Sequence, residues 1–344
     1  MKDIFSKRLK SARLMAKLTQ EEVAQMVNIT KNAISKYEKG EMNADPTVLQ
    51  SLARALGVSP DYLIRPFEVE LTKVEFRKKT KLSTRDEQAI EQQILNLVEN
   101  YLKTEEILNI NFTFNHPFPG TIIRGKADME LYAAKLTDKW KLGMNGIPSV
   151  FRILEDNEIK VIELLASEDF DGWSAYANDK YPVIVLNAAI TPERKRFTAL
   201  HELAHLLFDF DENLSDKQVE KLCHYFAGAI LLPEQLMYSL LGRSRSKISF
   251  EERKNINRMY GISHQAFMYR ALELGIIKPY YYTQFQFSIS KNRKEEGLSV
   301  FGGEERATRF ISLIWRAIAE DLVTIGKASE LSGIPVEELA EAIN

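Results

Sequence analysis

The string HELAH at residues 201–205 constrains this chain more than any other feature of its sequence. It lies in a segment whose apolar residues recur at helical spacing, shortly after the apolar run PVIVL at residues 182–186. On a helix, positions i and i+4 share one face, so His201 and His205 would present their imidazoles together. Burying them beside Glu202 costs free energy unless something satisfies them. We therefore expect a buried strand followed by a metal-binding helix.

The spacing of this string is that of a metal site that activates water. Two neutral imidazoles suit zinc, and a catalytic zinc keeps one position open for water. The bound water loses several pKa units, and Glu202 is placed to take its proton. The string thus predicts His201 and His205 as ligands and Glu202 as the general base. The alternative is that two histidines four residues apart are ordinary surface or core residues.

A third ligand is expected on the following helix, which the pattern predicts for residues 216–231. Glu220 lies on this helix, and His224 lies one turn further on and could also reach the site. Spacing alone leaves Glu220 open between a ligand and a solvated helix charge. Cys223 is expected to pack as a small hydrophobe. Because it is the only cysteine, an intramolecular disulfide is impossible, which suits a reducing cytoplasm.

Residues 1–65 predict a compact all-α domain of five short helices. Thr19 and Glu22 have the spacing of a capping box, and Thr30 is a candidate N-cap for the next helix. These residues carry 11 Lys or Arg against 7 Asp or Glu, whereas the whole chain has a formal net charge of −2. A basic end on an acidic body is a pointer to nucleic acid at that end.

The segment that follows, residues 66–82, is a charged connection. Thr84 and Glu87 suggest another capping box, and apolar residues then recur at helical spacing to about residue 108. We expect this helix to pack against the second domain, with a spacer and a dimer seam as alternatives. Further elements are predicted as helices at 127–141, 192–207, 216–231 and 248–277, strands at 160–164 and 182–186, and two or three helices within 304–343.

The N-terminal segment, residues 5–65, resembles the XRE (Cro/C1-type) helix-turn-helix family. The resemblance is carried by the strings LTQEEVA at 18–24, ISKYEKG at 34–40 and LARALGVS at 52–59. At the turn after the second helix, where the family often has Gly, this chain has Asn28, the next-best residue for a left-handed conformation.

This resemblance implies binding to a double-stranded DNA operator, with the second helix of the motif in the major groove. The residues implied in DNA binding are Gln20, Thr30, Lys31, Asn32, Ser35 and Lys36. Arg13 and Glu38 are expected to form a structural ion pair. Because one such domain makes few contacts, a homodimer on palindromic half-sites is expected.

A second resemblance is carried by RKRFTALHELAHLL at 194–207, Glu220, and FAGAILLP at 226–233. These features resemble the ImmA/IrrE family of metallopeptidases, in which an R-x-R-F-T run leads into H-E-x-x-H. A helix with a Glu, then A-N-x-F-A and L-L-x-P, follows in that family.

By that match His201, His205 and Glu220 are the zinc ligands and Glu202 is the general base. The family's Ala-Asn pair is Cys223-His224 in this chain. His224 therefore stays open between a neighbour of the ligands, an alternative ligand and a packed residue.

The expected fold class is α+β and mostly helical. The predicted domains are an XRE-type domain at 1–66, a linker and amphipathic helix at 67–110, a zincin-like peptidase domain at 111–283 and a helical C-terminal region at 284–344. With no apolar run of about 18 residues, we expect no membrane partner and a cytoplasmic location.

The sequence predicts a DNA-binding regulator whose zinc-dependent endopeptidase cuts an XRE-type repressor or the chain itself. The alternative is a repressor or antitoxin-like regulator without catalysis, whose metal site is structural or sensory. A fourth protein ligand would favour this alternative.

Overall fold

The computed structural model describes residues 2–67, 69–72 and 83–343. The chain divides into two compact units. Unit 1 comprises Met1–Phe112, Tyr176–Lys180 and Thr308–Asn344, and unit 2 comprises Thr113–Ala175 and Tyr181–Ala307. Within the described ranges, no helix has both the length and the apolar character needed to cross a membrane. The fold is α+β and mostly helical, as predicted.

The helices, in chain order, are α1 (Lys2–Met15), α2 (Gln20–Met26), α3 (Lys31–Glu38), α4 (Pro46–Leu56), α5 (Thr84–Ile107), α6 (Lys126–Lys139), α7 (Val150–Asp156), α8 (Pro192–Leu207), α9 (Asp216–Leu231), α10 (Glu234–Leu241), α11 (Phe250–Tyr260), α12 (His264–Glu273), α13 (Pro279–Ser288), α14 (Arg309–Ala319), α15 (Ile325–Ser332) and α16 (Val336–Ile343). The strands are β1 (Leu71–Thr72), β2 (Ile122–Ile123), β3 (Lys160–Leu164), β4 (Gly172–Ala177), β5 (Tyr181–Asn187) and β6 (Asp209–Phe210).

The helix-turn-helix part of unit 1 forms through local capping. Thr19 and Glu22 make the predicted capping box at α2, and the side chain of Thr30 accepts a hydrogen bond from a backbone amide of α3. Asn28 adopts the expected left-handed conformation, with φ of 53°. Four α-helices lie between residues 2 and 57, one fewer than the five predicted, and residues 60–65 form turns that begin at Pro60 and end before Pro66.

Helix α5 corrects two predictions. Its N-cap is Ser83, whose side chain accepts a hydrogen bond from the amide of Asp86, so a simple N-cap one residue earlier replaces the capping box predicted at Thr84. Its packing partners are α1, α14 and α15 of unit 1, so the expected packing against the second domain is wrong. The apolar face of α5 is buried within unit 1, and an ion pair from Arg8 Nη1 to Glu99 Oε2 at 2.7 Å also joins α1 to α5.

Unit 2 contains a parallel pair formed by β3 and β5, with Val161 opposite Ile184, and β4 lies on the other side of β5. A second parallel pair joins β2 to β6. In unit 1, β1 pairs antiparallel with Tyr176 and Ala177 at the end of β4. The predicted strands correspond to β3 and β5, whereas β4 and the helices α7, α10 and α13 were not predicted.

An irregular segment at residues 289–307, which we call the strap, follows α13 in unit 2. The carboxylate of Glu305 in the strap accepts hydrogen bonds from the amides of Val150 and Phe151 at the start of α7. It also forms an ion pair with Arg196 of α8, and both side chains are completely buried. The strap therefore fixes the helix that carries the HELAH string.

The predicted domain boundaries stay a prediction. The compact units place residues 284–307 in unit 2 and residues 308–344 in unit 1. Of the predicted charged connection, residues 68 and 73–82 lie outside the described residues.

Candidate metal centre

Helix α8 begins where its sequence directs it to begin. Thr191 is the N-cap, its side chain accepts a hydrogen bond from the amide of Arg194, and Pro192 occupies the first turn. The helix packs against β5 and α9, and His201 is 3% exposed. The HELAH string is therefore held inside unit 2 by an apolar helix on an apolar strand.

Three predicted ligands meet in space. Nε2 of His201 lies 3.3 Å from Nε2 of His205. The carboxylate of Glu220 on α9 places Oε2 3.2 Å from Nε2 of His201 and Oε1 3.4 Å from Nε2 of His205. Across residues 2–67, 69–72 and 83–343, these three side chains are the group whose ligand atoms all lie within 4.8 Å of one another.

These distances fit a tetrahedral metal ion. Zinc binds His nitrogen and carboxylate oxygen at about 2.0–2.2 Å, which places neighbouring ligand atoms about 3.3–3.5 Å apart. The separation of the two imidazole nitrogens, 3.3 Å, falls in this range, and each Glu220 oxygen lies within about 0.1 Å of it from one imidazole nitrogen. Burial opposes ionisation of Glu220, but hydrogen bonds from His201 and His205 outweigh it and hold the pKa of Glu220 far below its ordinary value. Two imidazoles and one carboxylate are a donor set that suits zinc.

Glu202 lies beside this group and is not a member of it. Its side chain is buried, and Oε2 accepts a hydrogen bond of 2.8 Å from Oγ of Ser174 on β4. The sequence pattern did not single out Ser174 as a candidate functional residue. Ser174 lies 28 positions before Glu202 in the chain, on a strand that the sequence pattern did not predict.

The two departures from the family pattern have distinct surroundings. Cys223 is buried, as expected for a small hydrophobe, and its Sγ also lies 3.7 Å from Nδ1 of His205. His224 is exposed and lies outside the three-ligand group. Its ring lies 4.4 Å from the ring of His201 and stacks on Phe197 at 5.8 Å. The structure thus places His224 as a neighbour of a candidate ligand.

The residues implied in DNA binding lie on or beside α3. Lys31, Asn32 and Lys36 are exposed, and Ser35 is half-buried. The hydroxyl of Thr30 caps α3, as described above. Nε2 of Gln20 donates to Oε2 of Glu38 at 2.7 Å, so this side chain is tied to the domain interior.

The expected ion pair of the helix-turn-helix domain is present. Nε of Arg13 lies 2.5 Å from Oε1 of Glu38, and Nη2 lies 2.9 Å from Oε2. This bidentate geometry holds α1 against α3. The ion pair therefore fixes the orientation of α3, and with it the exposed polar face of this helix.

Comparison with known proteins finds two families in the chain. Residues 9–63 match the helix-turn-helix family, and residues 155–272 match the IrrE N-terminal-like domain family. The radiation response metalloprotease IrrE of Deinococcus radiodurans is 39% identical over 85 residues, and that of Deinococcus deserti is 38% identical over 76 residues. The HTH-type transcriptional regulator ImmR of Bacillus subtilis is 42% identical over 65 residues.

Each of these relatives is matched over part of its length. The alignments cover 21% and 19% of this chain, and 26% and 27% of the two IrrE proteins. The alignment with ImmR covers 19% of this chain and 51% of ImmR. The likeness is therefore a likeness of domains, one to a regulator and one to a metalloprotease.

Proposed function

This chain joins an XRE-type helix-turn-helix domain to an IrrE/ImmA-like metallopeptidase domain, and we propose that it is a DNA-binding regulator with a zinc-dependent endopeptidase activity. The observation that carries the proposal is the convergence of His201, His205 and Glu220, whose nitrogen and oxygen atoms lie 3.2–3.4 Å apart. A DNA operator as partner places the proposed site of action in the cytoplasm. The likeness to metalloproteases supports the catalytic part.

In the proposed mechanism, a zinc ion held by the three ligands would lower the pKa of a water molecule and polarise the scissile carbonyl. Glu202 takes the proton from this water and passes it to the leaving amine. The Glu202 side chain is 8% exposed, so few bulk water molecules can approach it. Helices α8 and α9 hold the ligands, and the ion pair between Arg196 and Glu305 fixes α8.

Peptide hydrolysis is proposed rather than a structural or sensory zinc site because three protein ligands and an adjacent glutamate match the catalytic arrangement. A structural site prefers a closed shell of four protein ligands and has no use for Glu202. The side chain that would close the shell is His224, and its ring instead stacks on Phe197.

Glu220→Ala is expected to weaken zinc binding at least about 100-fold, because a bound carboxylate is lost, whereas loss of a neighbour of a ligand costs about 10–100-fold. His224→Ala removes a neighbour of the candidate ligand His201 and not a ligand, so its loss of zinc affinity is expected to stay within the smaller range of about 10–100-fold. Competition with a chromophoric chelator measures both affinities. Equal losses in the two variants would contradict the assignment of Glu220.

We also propose that α3 reads DNA and that the chain binds its operator as a homodimer. Lys36→Ala is expected to weaken binding to all sequences alike and to reduce the salt slope by about one, because one phosphate contact is lost. Asn32→Ala is expected to lower discrimination at one base pair by about 1–3 kcal/mol. Binding to DNA selected from a random pool, measured across a salt series, tests both.

Lys217→Ala is the matched control, since Lys217 is an exposed lysine on α9 of unit 2. It should leave affinity and salt slope unchanged. An equal loss of DNA affinity in Lys217→Ala and Lys36→Ala would contradict the proposal that α3 contacts DNA.

The proposed substrate is an XRE-type repressor or the chain itself, cut in the charged connection at residues 66–82. The assay incubates the zinc-loaded chain with two labelled probes, ImmR of Bacillus subtilis and the Glu202→Gln form of this chain, followed by mass spectrometry of the products. Cleavage of ImmR supports a separate repressor as substrate, and cleavage of the inactive chain supports self-cleavage in trans. Cleavage of neither probe would contradict the proposed substrate class.

A further inference from the structure

We propose that Ser174 is a positioning residue for Glu202, so that strand β4 is part of the hydrolytic machinery. This inference rests on the proposed peptidase function. It assigns a role to a side chain that lies outside the HELAH string and outside the ligand set. The role is to hold one oxygen of the Glu202 carboxylate and to leave the other free to receive the proton.

The hydroxyl of Ser174 lies within hydrogen-bond distance of two oxygens of Glu202. Oγ of Ser174 lies 2.8 Å from Oε2 of Glu202 and 3.2 Å from the backbone oxygen of the same residue. A hydroxyl has one proton, and the charged, nearer carboxylate oxygen is the stronger acceptor. Ser174 therefore donates to Oε2, and Oε1 of Glu202 remains the proton acceptor.

Strand β4 packs closely against α8 at Gly172. At Gly172, a Cβ atom would lie 2.7 Å from Cγ2 of Thr198 and 2.8 Å from Cδ2 of Leu186, closer than side chains tolerate. A Cβ at this position would have to displace these two side chains, so glycine favours the close approach of the strand to α8 and β5. The absence of a side chain at Gly172 thus brings Ser174 within hydrogen-bond distance of Glu202.

The residue spacing along β4 matches the residue spacing along α8. Gly172 and Ser174 are two residues apart and share a face of β4, about 6.6 Å along the strand. Their contacts on α8, Thr198 and Glu202, are four residues apart, about 6 Å along the helix. Because the two repeats nearly coincide, Gly172 meets Thr198 and Ser174 meets Glu202 without distortion of either element. The Ser174 hydroxyl and the Glu202 carboxylate are therefore both held by regular elements, β4 and α8, which position side chains more precisely than loops do.

Removing the hydroxyl tests the proposal. Ser174→Ala is expected to lower kcat about 10- to 100-fold, as for a lost hydrogen bond to a charged group, and to change KM less than about 2-fold. Zinc affinity should stay at its wild-type value because no ligand is lost, and the midpoint of thermal unfolding should fall by only a few degrees, so that the chain stays folded at the assay temperature. Ser174→Thr keeps the hydroxyl and should recover most of the activity, and Ser174→Cys, with a weak donor, should be intermediate.

Two further readouts separate positioning from a general structural effect. In the Glu202→Gln background, Ser174→Ala should cause no additional loss, because the group that it positions is already changed. A crystal structure of zinc-loaded Ser174→Ala should show the Glu202 carboxylate displaced and the three ligands unmoved. A wild-type kcat in Ser174→Ala, or a loss explained by zinc affinity, would overturn the inference. A fully active Glu202→Gln chain would instead overturn the proposed function.

Discussion

Glu202→Gln is expected to lower kcat/KM about 10²- to 10⁴-fold while zinc stays bound, since a general base contributes about that factor. Glutamine keeps the shape of the side chain but cannot accept the proton from water. Glu202 lies outside the three-ligand group, so the zinc affinity of the variant should equal that of the wild type. The labelled ImmR and inactive-chain probes, with zinc content measured on the same samples, provide the test.

The matched control is Glu212→Gln, because Glu212 is an exposed glutamate between α8 and α9. It should leave both cleavage and zinc content at wild-type values. If Glu202→Gln cleaved the probes at the wild-type rate, Glu202 would not be the general base. If it lost zinc together with activity, Glu202 would have to be a ligand.

Glu305→Gln is expected to destabilise the folded chain by about 3–5 kcal/mol, the cost of leaving one partner of a buried ion pair uncompensated. The carboxylate of Glu305 satisfies Arg196 and two amides of α7, and no solvent reaches either charged side chain. The neutral amide would leave the Arg196 charge unpaired inside unit 2. Urea unfolding of the full chain, followed by fluorescence, measures the loss.

The neighbouring residue provides the control for this prediction. Glu304 is exposed, and Glu304→Gln should change stability by less than about 0.5 kcal/mol. Replacing both partners, as Arg196→Met with Glu305→Leu, should recover part of the lost stability, because no charge is then buried unpaired. Equal unfolding midpoints for Glu304→Gln and Glu305→Gln would show that the strap does not fix α8.

Two members of the candidate metal centre could be anticipated from the sequence by helical spacing alone. His201 and His205 lie one turn apart on α8, and the resemblance to a known pattern selected Glu220 on α9. The structure brings these three side chains together, as the sequence predicted. Their roles in binding and catalysis stay proposals that the variants above test.

The contacts that the sequence did not reveal depend on residues far apart in the chain. Ser174 lies in β4, where glycine and small polar residues give a weak strand signal, and its partner is on another element. Glu305 looks like a solvated charge in a polar segment, and its burial depends on Arg196, 109 residues away. Periodicity shows that a helix face is buried but does not show which element covers it. For this reason the predicted packing of α5 against the second domain was wrong.

The most direct test of the account is X-ray absorption at the zinc edge of the purified, zinc-loaded chain, together with zinc stoichiometry. We expect one zinc per chain with two imidazole nitrogens, from His201 and His205, and about two oxygens, from Glu220 and water. A third imidazole, from His224, would mean a site closed by protein ligands. That result, or a chain that binds no zinc, would contradict the proposed peptidase.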